Sequence, residues 1–233
     1  MALYTIGDLH LSFGCEGKSM DVFGLQWKDH EDKIKKNWNR KIKDSDTIVL
    51  TGDHSWGKNQ DECAPDLDFI DALPGRKILL RGNHDMFWEV NKTGRLNDKY
   101  KGRFYFLQNN YYEYDGTALV GTKGYCYEGL DTPEHCAKIM KREAKRLKCS
   151  FEMAKRDGYT RYIVFLHYPP TTVGENESVF TQMAMEYGAE QVIYSHSHGQ
   201  ERFHDSLQGN VNGVMYRLVS SDFLDFDPVK IKD

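Results

Sequence analysis

A chain of 233 residues with 39% hydrophobic and 28% charged residues has the balance of an ordinary globular fold, long enough to bury a substantial core. Its formal charge of -4 argues against a dedicated nucleic-acid surface, because phosphate-backbone binders carry a basic excess or a basic stripe, and neither is expected here. Five cysteines without a CxxC pair suggest neither a disulfide framework nor a thiolate zinc site.

The opening MALYTIGDLH lacks the charged and apolar regions of an export signal, and no stretch approaches 18 apolar residues. A cytoplasmic protein without membrane association is expected, with a single domain over residues 1–233 because no linker divides the chain. Leu3 to Ile6, Thr47 to Thr51 and Lys77 to Leu80 are short β-rich or apolar runs, each followed by Gly, Asp or Arg-Gly. They predict buried strands that deliver polar residues at their C-terminal ends. Trp27, Ile34, Trp38 and Ile42 recur at helical spacing, and the mixed charges of KDHEDKIKKNWNRKIK form the solvated face of that helix. A second helix is predicted over Pro65 to Leu73, with proline at the first helical position and a stop at Pro74-Gly75.

Phe104 to Phe106, Tyr111 to Tyr114 and Ala118 to Gly121 read as strands, the last two joined by a YDGT hairpin turn. Thr132-Pro133 opens a long helix with Cys136, Met140, Leu147, Phe151 and Ala154 on one side, stopped by Gly158. Tyr162 to Leu166 is a strand ending at His167, and Val179 to Tyr187 a helix closed by Gly188. Gln191 to Tyr194 is a strand running into His196-Ser197-His198, and Val214 to Val219 is the last strand. Strands alternating with helices argue for an α/β fold, and the hairpins make part of it antiparallel. Two mixed sheets are therefore expected rather than one doubly wound parallel sheet.

In such sheets ligands sit beyond the carboxyl ends of strands. Five strand ends carry Asp8-Leu9-His10, Gly52-Asp53, Gly82-Asn83-His84-Asp85, His167 and His196-Ser197-His198, which together hold five of the nine histidines. In an extended segment His196 and His198 face the same way. Taken alone that pair fits surface or hydrogen-bonded histidines more readily than a metal site. The five ends together offer nitrogen and oxygen donors without thiolate, a set that suits Mn, Fe, Zn, Co or Ni better than Mg or Ca.

With the stretches GDLH, TGDHSWG, RGNHD, LHYPP and SHSHG in that order from residue 7 to residue 199, the chain resembles the calcineurin-like metallophosphoesterase superfamily. GDHSWG and LLRGNHDMFW are similar to a branch of small bacterial phosphohydrolases within it. The resemblance implies two β-sheets packed as a sandwich flanked by helices, an αββα arrangement. It implies two divalent metal ions, manganese the leading candidate: Asp8, His10, Asp53 and His198 would hold one, and Asp53, Asn83, His167 and His196 the other. Asp53 would bridge them.

Physical sense supports that set. Two divalent cations bring four positive charges against two ligand carboxylates, so the site stays cationic and attracts phosphate, and Asn83 adds an oxygen without a charge. Metals about 3.5 to 4 Å apart would bring a shared water near neutral pKa and clamp the attacking and leaving oxygens in an in-line displacement. The nucleophile is then a metal-bridging hydroxide. By resemblance His84 is not a ligand but donates a proton to the leaving oxygen or steadies the transition state, and Asp85 is expected to orient its other nitrogen. Arg81, Asn83 and His84 are the candidate substrate contacts, Arg81 by a bidentate grip on phosphate or, alternatively, as a structural salt bridge.

Weaker readings attach to the neighbours. His54 is expected either to support a neighbouring ligand or to be structural, Trp56, Phe87 and Trp88 to wall a pocket or fill the core, and Tyr168, Pro169 and Pro170 to fix a loop. His30, His135 and His204 are expected at the surface. Ser195 stands where the family usually has glycine, which puts the local backbone geometry in question.

The expected function is hydrolysis of phosphomonoesters or phosphodiesters, with a small phosphorylated molecule or a nucleotide as substrate and no nucleic-acid partner. The alternative is a non-catalytic, metal-binding interaction scaffold of the same fold. Specificity is expected from the loops at Leu11–Gln26, Met86–Asp98, Thr122–Asp131 and Tyr168–Ser178. The sequence does not set the oligomeric state.

Overall fold

In the computed structural model, which describes residues 1–129 and 131–233, the chain divides into a first unit of Met1–Phe106 with Val219–Asp233 and a second of Leu107–Leu218. Leu130, inside the expected specificity loop at Thr122–Asp131, lies outside the described residues.

The first unit holds β1 (Leu3–Ile6), β2 (Thr47–Leu50), β3 (Arg76–Leu80), β4 (Phe104–Leu107) and a strand from the far end of the chain, β11 (Val229–Lys232), in the order β11-β1-β2-β3-β4. β1, β2 and β3 are parallel, and β11 runs antiparallel to β1. Every residue of β2 is buried, the signature of a central parallel strand covered on both faces. Because the three strands are parallel, their C-terminal ends emerge along one edge, and that edge carries residues 7–10, 52–54 and 81–85.

Helix α1 (His30–Lys41) buries Ile34 and Trp38, opens with Glu31 and Asp32 and closes with Arg40 and Lys41, charges that complement the helix dipole at each end. Helix α2 spans Gln60–Asp71, five residues earlier than proline alone predicts. The side chain of Asn59 accepts from the backbone N–H groups of Asp61 and Glu62, so this cap starts the helix and Pro65 lies inside it. His30 is a second correction, being buried with Nδ1 3.1 Å from the Trp27 carbonyl and Nε2 3.0 Å from that of Leu9. Part of the long Met86–Asp98 connection folds as a short helix, α3 (Thr93–Lys99), held by the bond from Trp88 Nε1 to Thr93 Oγ1 at 2.9 Å.

The second unit holds β5 (Tyr111–Tyr114), β6 (Thr117–Thr122), β7 (Tyr162–Leu166), β8 (Gln191–Tyr194), β9 (Gly209–Val211) and β10 (Val214–Leu218), in the order β5-β6-β7-β8-β10-β9. The four inner strands are parallel and the two edges antiparallel. Asp115 and Gly116 both have positive φ between β5 and β6, as a two-residue hairpin turn of type I′ requires. Again the parallel ends line up, and residues 123, 167 and 195 leave the sheet along one edge.

Helix α4 (Pro133–Arg156) has Thr132 as its cap and buries Cys136, Ala144, Leu147, Phe151 and Ala154. It also buries Glu143, whose carboxylate accepts from Thr122 Oγ1 at 2.7 Å and pairs with Arg146 at 2.5 Å. On its exposed side Lys138, Lys141, Lys145 and Lys148 follow one another at three- and four-residue spacing. This is a basic stripe, where none was expected; a charge count averaged over an acidic chain hides it. The shorter helices α5 (Val179–Glu186) and α6 (Gln200–His204) complete the unit, α5 opening on a capping box between Ser178 and Thr181. Among the described residues no helix is long and apolar enough to cross a membrane.

Phe151 is fully buried and stacks on Tyr187 with ring centres 4.2 Å apart. Phe151→Ala is expected to cost about 3–5 kcal/mol through lost burial and the cavity left behind. A lower midpoint of urea unfolding, with an unchanged far-UV spectrum before the transition, is the check.

Candidate metal centre

Past the end of β1 the backbone keeps bonding to the end of β2: Asp8 N–H donates to the Gly52 carbonyl, His10 N–H to that of Asp53 and Leu11 N–H to that of His54. It does so in an unusual conformation. Asp8, His10 and Asp53 have φ of 56°, 46° and 52°, in the left-handed region that costs a side-chain-bearing residue about 1–3 kcal/mol. All three side chains are nevertheless buried, Asp8 at 0% and Asp53 at 1% exposure. Asp8 and His10 bring donor atoms within 4.8 Å of each other, and His10 Nε2 is 3.9 Å from Asp53 Oδ2.

The end of β3 closes around Asp53. A Cβ at Gly82 would lie 2.0 Å from Asp53 Oδ1, so glycine is demanded here by close approach rather than by its dihedrals. Asp53 Oδ1 accepts the backbone N–H of His84 at 2.8 Å. Asn83 and His84 are half-buried. Trp56 stacks on His10 at 5.0 Å and lies tilted against His84 at 4.2 Å, so this tryptophan is a wall shared by a predicted ligand and the predicted proton donor. Phe87 and Trp88 are buried in the core. Arg81 donates Nε–H to the Trp88 carbonyl at 2.7 Å and anchors the turn after Gly82 rather than forming a salt bridge.

Asp85 does not orient His84. Its fully buried carboxylate accepts the backbone N–H groups of Gly82, Asp53 and His54 at 2.7, 2.9 and 2.9 Å, and lies 3.0 Å from His54 Nδ1. Burial pushes the Asp85 carboxyl up, and the charge and hydrogen bonds of His54 with those backbone donors outweigh it and hold it below the usual carboxylate range. His54, fully buried, lies four residues beyond the end of β2, with its ring beside the Asp85 carboxylate.

In the second unit His167 leaves β7 with its backbone N–H on the Lys123 carbonyl, and Ser195 leaves β8 with its N–H on the His167 carbonyl. The His167 and His196 rings are 4.8 Å apart, with donor atoms within 4.8 Å. Tyr168 packs on His196 at 4.1 Å. Ser195 is buried with ordinary negative φ, and its Oγ lies 3.4 Å from His167 Nδ1. The left-handed residue of this segment is His196, at φ 69°. His198 is half-buried, whereas His135 and His204 are exposed as expected.

One residue with no motif to announce it also belongs here. Glu128, in the connection after β6, lies 3.3 Å from His196 Nε2 and 2.6 Å from Arg202 Nη1. Burial raises its carboxyl, and the hydrogen bonds and charges of His196 and Arg202 outweigh that and pull it down to about 2. An acid in a long connection was the only signal available in sequence.

Both halves offer donors that fit divalent cations: oxygen and imidazole nitrogen, with all five cysteines free thiols and none among the donors. Buried carboxylates such as Asp8 and Asp53 are costly unless paired with positive charge, which a cation would supply.

A model of the family described as calcineurin-like phosphoesterase matches residues 1–200. The uncharacterised protein MJ1445 of Methanocaldococcus jannaschii is 30% identical over 87 residues, 37% of this chain and 48% of that protein. The chain thus spans about half the length of this curated relative. Among solved structures, TT1561 of Thermus thermophilus superposes with a TM-score of 0.56 at 10% identity, over 99% of this chain and 97% of that one. Phosphopantetheinyl hydrolase from Mycobacterium tuberculosis gives 0.54 at 14% identity, over 99% and 95%. AQ665 from Aquifex aeolicus gives 0.54 at 17%, over 98% and 95%. At these identities the likeness is one of fold, two mixed sheets with flanking helices.

Asp85→Ala is expected to lower stability by roughly 3 kcal/mol or more, since three buried N–H groups lose their acceptor at about 1–3 kcal/mol each. Urea unfolding measures it, with Asp85→Asn falling between. An Asp85→Ala protein as stable as the parent would contradict the structural role. Gly82→Ala should likewise lower the melting temperature, because its Cβ would displace the Asp53 carboxylate.

Proposed function

Because the chain belongs to the calcineurin-like phosphoesterase family, we propose that it is a metal-dependent phosphohydrolase acting on phosphomonoesters or phosphodiesters. The observation that carries the reading is the strained, buried trio Asp8, His10 and Asp53: backbone strain held at three motif residues needs a use. The donors would be shared as the family pattern has them, Asp8, His10, Asp53 and His198 for one ion and Asp53, Asn83, His167 and His196 for the other. Two divalent cations, manganese first, supply Lewis acidity toward a phosphoryl oxygen and activation of water at neutral pH.

The remaining work falls to side chains. His84 delivers a proton to the leaving oxygen, its place set by the backbone bond to Asp53 Oδ1 and by the Trp56 ring. Arg81, held through Nε, directs its charged end at phosphate together with Asn83. Trp56 stacked on His10 limits ring motion, so the ligand arrives with its rotamer set. The substrate is a small phosphorylated molecule or a nucleotide, and five free thiols suit a cytoplasmic setting.

The test is metal content together with turnover of p-nitrophenyl phosphate and bis(p-nitrophenyl) phosphate by manganese-loaded protein. Hydrolysis of either ester with two ions per chain is expected, and a metal-loaded protein inert toward both and toward a panel of nucleotides would sink the proposal. His84→Ala should keep its metal and lose roughly 100-fold or more in kcat, the scale of lost general acid catalysis. Asp53→Asn should lose metal instead, as read by elemental analysis after dialysis.

A further inference from the structure

Glu128 touches a predicted metal ligand of the second unit, His196, and belongs to no motif. It sits in the connection after β6, whose neighbouring residue Tyr127 is tied by its backbone N–H to Thr172 Oγ1 at 3.3 Å. Its two oxygens are divided between partners: Oε2 lies 3.3 Å from His196 Nε2, and Oε1 is 2.6 Å from Arg202 Nη1. Arg202 comes from α6, only a few residues past the histidine it serves indirectly.

A neutral imidazole carries one N–H, and the nitrogen left bare is the one that binds a metal. An ionised carboxylate only accepts, so the His196 nitrogen facing Glu128 must be the one that bears the proton. Resting on the metal reading above, we propose that Glu128 is a positioning residue: it fixes His196 as the Nε2–H tautomer and thereby presents Nδ1 as the metal donor, with Arg202 pinning the carboxylate in place. Tyr168 limits rotation of the ring from another side, at 4.1 Å between ring centres. The tautomer is thus set before any metal arrives, by a residue of this chain's own loop.

The experiment compares wild type, Glu128→Ala and Glu128→Gln by two readouts. The first is ¹⁵N NMR of the His196 ring in metal-free protein; the second is the Mn²⁺ binding isotherm by calorimetry. Wild type should show the Nε2–H tautomer. Glu128→Ala should mix tautomers and weaken one Mn²⁺ site by about 10–100-fold, while its circular dichroism and melting transition show that it is folded. Glu128→Gln still offers a carbonyl oxygen to Nε2–H and should keep the tautomer and most of the affinity.

An unchanged tautomer and isotherm in Glu128→Ala would overturn the proposal. So would Glu128→Gln losing as much affinity as Glu128→Ala with its tautomer intact, since that is how a direct carboxylate ligand behaves. Wild-type protein that takes up no Mn²⁺ would sink the phosphoesterase reading, and the metal-free tautomer comparison would still decide whether Glu128 sets the ring.

Discussion

Three backbone N–H groups, from Gly82, Asp53 and His54, converge on the carboxylate of Asp85 at 2.7 to 2.9 Å. Two of them belong to the end of β2 and one to the end of β3, so a single buried side chain ties two strand ends together beyond the sheet. The rest of the edge depends on that tie. It holds Asp53 in its left-handed conformation, which lets the Asp53 carboxylate pass so close to Gly82 that only hydrogen fits there. The Asp53 carbonyl in turn takes the N–H of His10, so the constraint passes on to β1. Buried donors are costly without acceptors, and that cost holds the arrangement in one geometry.

Much of this edge was readable in the sequence, for a physical reason. Short apolar runs ending in Asp, Asn and His have few structural uses, and the parallel strands they form deliver those residues to one edge. What escaped was decided in three dimensions. Pro65 marks a first helical position by local rule, and the cap offered by Asn59 wins over it. His30 has no motif and looks like a surface residue, whereas two carbonyls, of Leu9 and Trp27, are waiting for its ring. Asp85 follows His84 in sequence and is its obvious partner on paper. Yet its side chain turns back to the β2 end, because the donors there outnumber one imidazole. Glu128 lies 68 residues from His196, and nothing local encodes that meeting.

Each unit brings its own donors into order. In the first, a carboxylate–backbone cradle and the Trp56 ring do so; in the second, Ser195, Tyr168 and Glu128 surround two histidines. The serine at position 195 needs no special dihedral, since the left-handed step of that segment falls one residue later. Its hydroxyl occupies space that glycine would leave open and reaches to 3.4 Å of the His167 ring. The departure from the family pattern is therefore a filled position rather than a distorted one.

The left-handed backbone at Asp8, His10, Asp53 and His196 also bears on how such a protein is dissected. Alanine is the usual blank in mutational work because it is assumed to leave the main chain indifferent. At these four places it is not a blank, for its methyl group keeps the strain and only the functional atoms disappear. Glycine is the truer zero, and exchange for it would relax the chain while erasing a donor. Stability and donor chemistry therefore pull in opposite directions at the same four residues, and a screen that rewarded only resilience to heat would drift toward a sturdier chain stripped of these donor atoms.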